Sequence, residues 1–115
     1  MPHCIIEYSN EIVKYINPQR IIDAVYRGAL KSELFEDDDI KTRSLAFENY
    51  QSGSVKKEFV HVTAKILSGR NIAQKKKLTE SIMSQLEKID FQSTLLTIEI
   101  VEMEKETYSR VRKVR

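Results

Sequence analysis

Residues 59–74 read FVHVTAKILSGRNIAQ, and this stretch decides the architecture. Val60, Val62, Ala64 and Ile66 alternate with Phe59, His61, Thr63 and Lys65, the period of two that puts one set on each side of a β-strand. Ser68-Gly69-Arg70 breaks that period. Asn71 then offers a helix N-cap, with Gln74 three residues on to complete a capping box. Leu78, Ile82, Leu86 and Ile89 follow as the apolar stripe of the helix. Residues 94–103, TLLTIEIVEM, supply a closing strand.

The first half repeats this order. Residues 3–9 form a short strand apolar on both faces. Asn17 precedes Pro18, an N-cap followed by proline at the first helical position, and Ile21, Ile22, Val25 and Ala29 carry a helix over 18–33. The acidic cluster at 36–39 reads as a solvated turn, without convergent ligands for a metal. Residues 40–50 alternate as a strand, with Lys41, Arg43, Leu45 and Phe47 on one face. Residues 51–55, with Gly53, form a hairpin-type connection.

Two strands joined by a helical crossover run parallel with right-handed chirality. Two such units, at about 2–50 and 57–103, give an α+β, two-layer fold: a four-stranded mixed sheet with both helices on one face. The chain is a single domain over 1–115, with a polar, basic tail at 104–115. The uncovered sheet face carries apolar residues, which predicts an obligate oligomer.

Composition narrows the function. With 19 basic against 17 acidic residues and a net charge of +2, no global field favours nucleic acid or membrane. No apolar run approaches the roughly 20 residues that span a bilayer. The start lacks the pattern of a secretory signal, and the single cysteine, Cys4, allows no internal disulfide. These observations predict a cytoplasmic protein.

Four residues stand out chemically. Pro2 becomes a free secondary amine if Met1 is removed, as aminopeptidases do before small residues. Burial and neighbouring cations both lower an amine's pKa, which suits a general base. The other reading is a merely processed start. Lys41 and Arg43, two apart on a strand, project to one side and need anions, from a carboxylate-rich ligand or from Glu7 or Glu48. Arg70, beside a helix start, suits anion binding or a plain exposed loop.

Cys4 reads as a small buried hydrophobe and His61 as a satisfied core histidine. Neither His3 nor His61 has zinc-ligand spacing. Lys75-Lys76-Lys77 is a solvated helix face. The tail cations, from Arg110 to Arg115, give weak, salt-sensitive nucleic-acid contact at most.

Together, MPHCIIEYS at 1–9, IKTR at 40–43, FVHVTAKILSGR at 59–70 and ETYS at 106–109 resemble the 5-carboxymethyl-2-hydroxymuconate Δ-isomerase family of the tautomerase superfamily. The likeness runs over nearly the whole chain. It implies a homotrimeric isomerase of bacterial homoprotocatechuate breakdown, acting on unsaturated keto and enol polycarboxylates without metal or organic cofactor. It also implies that Pro2 is the base, and that Lys41, Arg43 and Arg70 contact carboxylates or the dienolate. A relative carries arginine where this chain has Lys41, and lysine lacks the planar fork. Residues between Tyr50 and Phe59 show little likeness. Other superfamily members decarboxylate, hydrate or dehalogenate, so the resemblance also allows another proline-dependent activity, or an oligomeric binding protein that keeps the fold.

Overall fold

A computed structural model describes residues 1–115. The chain forms β1 (His3–Ser9), α1 (Pro18–Lys31), β2 (Lys41–Phe47), β3 (Glu58–Leu67), α2 (Ile72–Leu86) and β4 (Thr94–Met103). Short 3-10 turns occupy Asn10–Lys14, Asp37–Asp39 and Lys105–Thr107. The sheet order is β2-β1-β3-β4. β1 pairs parallel with β2, β3 pairs parallel with β4, and β1 and β3 meet antiparallel at the centre. This is the two-layer, doubled strand–helix–strand architecture expected from the alternation.

Both helices start where the asparagines place them. The Asn17 side chain accepts from Gln19 N at 3.0 Å, with Pro18 opening α1. At Asn71 the reciprocal box forms: Asn71 Oδ1 accepts from Gln74 N at 2.8 Å, and Asn71 N donates to Gln74 Oε1 at 2.9 Å. Helix α1 ends two residues short of the expected boundary, because Glu33 adopts a left-handed conformation, φ 63°.

Cys4, Ile6 and Tyr8 of β1 and Val60, Val62, Ala64 and Ile66 of β3 are buried against Ile21, Ala24, Val25, Ala29, Leu78, Ile82 and Leu86 of the helices. Truncating any one of the large members to alanine should cost about 2–5 kcal/mol. Ile12, on the turn after β1, closes one end of this core.

Strand β1 is not apolar on both sides. Its second face carries His3, Ile5 and Glu7, all half-buried. Register aligns His3 with Lys41 and Lys65, Ile5 with Arg43 and Thr63, and Glu7 with Leu45 and His61. This face has no cover within the chain, and Leu45 and Leu95 are 56% and 65% exposed on it. His61 is satisfied here and not in the core: its imidazole meets Thr97 Oγ1 at 2.7 Å and Glu99 Oε2 at 2.6 Å. No helix is long and apolar enough to cross a membrane.

Candidate active site

The parallel pairing of β1 with β2 brings the chain's start beside Lys41, and Lys41 N donates to Pro2 O at 3.1 Å. Pro2 is fully buried, at the edge of the core that Cys4 and Ile6 continue. Met1, one residue out, lies in an open hollow of about 380 Å³. Leu34, Phe35 and Leu67 give the hollow an apolar wall; Glu33, Glu36, Asp39, Arg70, Tyr108 and Arg110 give it a polar one that carries three carboxylates and two guanidinium groups.

The amine at this point is held below its ordinary value. Burial is the main cause, because a desolvated ammonium loses hydration. Asp39 opposes the shift, while Lys41, Arg110 and Arg70 add to it by repulsion. In the intact chain this amine belongs to Met1, and the Pro2 nitrogen is a peptide nitrogen.

Each cation is positioned by neutral groups. Lys41 Nζ donates to the carbonyl of Asp39 at 3.1 Å. The Arg70 guanidinium donates to Leu34 O at 2.8 Å and lies over the Phe35 ring, 4.8 Å from its centroid. Arg43 donates to His3 Nδ1 at 3.2 Å. The ion pairs of the chain are Lys56–Glu11, His61–Glu99, Lys75–Glu102 and Lys77–Glu33. None involves Lys41, Arg43, Arg70 or Arg110, so neither Glu7 nor Glu48 neutralises the β2 cations. Guanidinium and ammonium groups held in place without a carboxylate are ready to receive one.

The four sequence candidates are not equally close. Pro2, Lys41 and Arg70 border the hollow or the amine beside it. Arg43 lies on the open sheet face against His3, outside the hollow's lining. Sequence reasoning missed Arg110 and Tyr108 as parts of the site, because the tail has no apolar period to fix its path. The fold returns it: Tyr108 Oη meets His3 Nε2 at 2.9 Å, with the rings edge-on at 6.1 Å. Tyr108, in the ETYS segment, was the available signal.

Cys4 is no nucleophile here, since burial pushes its thiol up to about 12. No group of three His, Cys, Asp or Glu side chains is placed to hold a metal ion.

Sequence comparison matches residues 2–113 to the family described as 5-carboxymethyl-2-hydroxymuconate isomerase. The chain belongs to that family. The 5-carboxymethyl-2-hydroxymuconate isomerases give it its general activity class, that of an isomerase. Comparison with curated proteins finds no match. Among solved structures, a 5-carboxymethyl-2-hydroxymuconate delta-isomerase superposes with a TM-score of 0.81 at 16% identity, over 98% of this chain and 89% of that one. A 5-carboxymethyl-2-hydroxymuconate isomerase from Deinococcus radiodurans R1 gives 0.77 at 19% identity, over 97% and 90%. A fused 4-OT wild-type symmetric trimer gives 0.68 at 13% identity, over 92% and 91%. At these identities the superpositions establish the shared fold.

Proposed function

We propose that this chain moves a proton within an unsaturated 2-hydroxy or 2-oxo polycarboxylic acid resembling 5-carboxymethyl-2-hydroxymuconate, using Pro2 as its base once Met1 is removed. The observation that carries the reading is a hollow beside the chain's first amine whose nearby cations, Lys41, Arg70 and Arg110, form no ion pair, although Glu33, Glu36 and Asp39 also line it. After processing, the ring nitrogen of Pro2 becomes the terminal amine. The same burial and the same cations then favour its neutral form.

In this mechanism neutral Pro2 takes the proton of the substrate's 2-hydroxyl. That leaves the O–H electron pair on oxygen as a dienolate, which closes to the C2 carbonyl as the conjugated double bonds shift outward. The prolinium then returns the proton at the far carbon, so the reaction is a net isomerisation. Lys41, a compact charge next to Pro2, stabilises the oxygen where charge develops. Arg70 holds a carboxylate in the hollow; Arg43, outside the hollow's lining, reaches one only through a substrate arm on the open sheet face. Bound carboxylates partly cancel the cations' field, so the amine is neutral before binding and a stronger proton acceptor after it. The acid is an intermediate in aromatic-compound catabolism, handled in the cytoplasm. The protein works as a homotrimer, for which the uncovered sheet face and the trimeric assembly of a structural relative are the support.

Steady-state kinetics of Lys41→Met, Arg43→Gln and Arg70→Gln on a 2-hydroxymuconate-type acid test the assignments. Loss of Lys41 removes a contact made mainly in the transition state. It should therefore lower kcat by roughly 30- to 1,000-fold, on the order of 2–4 kcal/mol, with KM similar. The arginine variants should mainly raise KM. Near-normal kcat/KM in all three would make these residues structural cations only.

A further inference from the structure

Tyr15, Tyr26 and Tyr50 each donate their hydroxyl to a carboxylate, that of Glu58, Asp37 and Glu11 respectively. Tyr108 does not, although Glu33, Glu36 and Asp39 line a hollow with it. Its side-chain hydrogen bond is to His3 Nε2, at 2.9 Å, and the direction of that bond is fixed from the other side of the imidazole. Arg43 has donors only, so His3 Nδ1 accepts from it, at 3.2 Å, and the proton of the neutral ring sits on Nε2. His3 therefore donates to Tyr108 Oη, and the phenolic O–H is left without an acceptor in the chain. A hydroxyl that already receives a hydrogen bond is the better donor, because each bond polarises the next.

The position of that donor gives it a task. Tyr108 borders the hollow that holds the chain's start, and with Lys41 it borders a second hollow of about 350 Å³. His3, which holds it, directly follows Pro2 and is the register partner of Lys41 across β1 and β2. An ammonium and an uncommitted O–H thus adjoin the start of β1.

We propose that Tyr108 is a second donor to the oxygen on which charge develops, completing an oxyanion site with Lys41, and that His3 and Arg43 are positioning residues that turn its O–H toward the substrate. This rests on the isomerase reading and deepens it by adding residues to its site. Tyr108 keeps its proton throughout: it donates a hydrogen bond to the dienolate oxygen, and the proton that moves is the one Pro2 carries.

Tyr108→Phe keeps the ring and its edge-on packing against His3 and removes only the hydroxyl. In protein lacking Met1 it should lower kcat on 5-carboxymethyl-2-hydroxymuconate roughly 100-fold with KM similar. His3→Leu should lower kcat about tenfold, and the double variant should lose no more than Tyr108→Phe alone, because His3 acts through the hydroxyl. Losses that multiply in the double variant overturn the positioning role. Calorimetric titration with oxalate and oxamate tests the donor pair apart from turnover. The two unreactive acids have similar shapes, and only oxalate is anionic at the group next to the shared carboxylate. The wild type should bind oxalate about tenfold more tightly than oxamate, and Tyr108→Phe should shrink that preference to about twofold. Wild-type kcat in Tyr108→Phe overturns the assignment, as does equal binding of the two acids by the wild type or an oxalate preference that the variant keeps in full. A wild type that isomerises no 2-hydroxymuconate-type acid, but whose oxalate preference falls in Tyr108→Phe, would keep the paired donors and refute the reaction.

Discussion

His3 sits where the site's two halves meet, and its chemistry follows from its neighbours. A guanidinium can only donate, so His3 Nδ1 must accept from Arg43. The ring proton then belongs on Nε2, from which it is donated to Tyr108 Oη. Its pKa is held below the ordinary 6.5, first by burial and then by Arg43 and Lys41. Protonation would place a positive ring against Arg43 and break that contact. Below its ordinary value the unfolded chain binds this proton and the folded chain does not. Stability linked to His3 is therefore lost as pH falls through 6.5 toward the lower folded value. An NMR titration should find His3 neutral as the Nε2–H tautomer, titrating below 6.5, and moved upward in Arg43→Gln. Titration at or above 6.5 would contradict the arrangement. His3 was dismissed as a metal ligand from sequence, and nothing in its neighbours along the chain reveals Tyr108, 105 residues away.

Among the elements, the strands and caps were legible because their signals are local. Alternation at Val60, Val62, Ala64 and Ile66, and the side-chain caps at Asn17 and Asn71, depend on residues within a few positions of one another. Helix-to-helix contact is not local, and Gly28 was passed over. It lies where α1 crosses α2: an added Cβ would stand 2.5 Å from Ile82 Cα and 2.9 Å from Ile82 N. Ser81 Oγ seals the crossing by donating to Gly28 O at 2.7 Å. In an ordinary helix interior, glycine to alanine stabilises by up to about 1 kcal/mol. Here the colliding atoms are backbone, so α1 and α2 must part. Gly28→Ala should destabilise by about 1–3 kcal/mol and lower Tm at fixed chain concentration. A Tm equal to or above that of the wild type would show that the helices are not packed this closely. The tail was the least legible element, since its course depends on Tyr108 finding His3 and Arg110 finding the hollow.

For the whole molecule, the sheet's outer face and its two edge strands are the surfaces through which the proposed trimer would assemble. Ile5, Leu45, Phe47, Phe59 and Leu95 share that face with Arg43, His61 and Glu99. An apolar, partly charged surface beside unpaired β2 and β4 edges invites pairing with further copies. Light scattering at micromolar concentration should give the mass of three chains, and the mass of one would rule the trimer out. The proposed proton transfer turns on a single nitrogen. Pro2 can act as a base only with Met1 gone, because an amide nitrogen does not accept a proton near neutral pH. The deciding measurement is the rate of 5-carboxymethyl-2-hydroxymuconate isomerisation by two preparations verified by intact mass, one lacking Met1 and one retaining it. The proline-base mechanism predicts turnover in the first and a loss of at least about a thousandfold in the second, on the order of 4 kcal/mol of barrier. Equal rates in the two would contradict it.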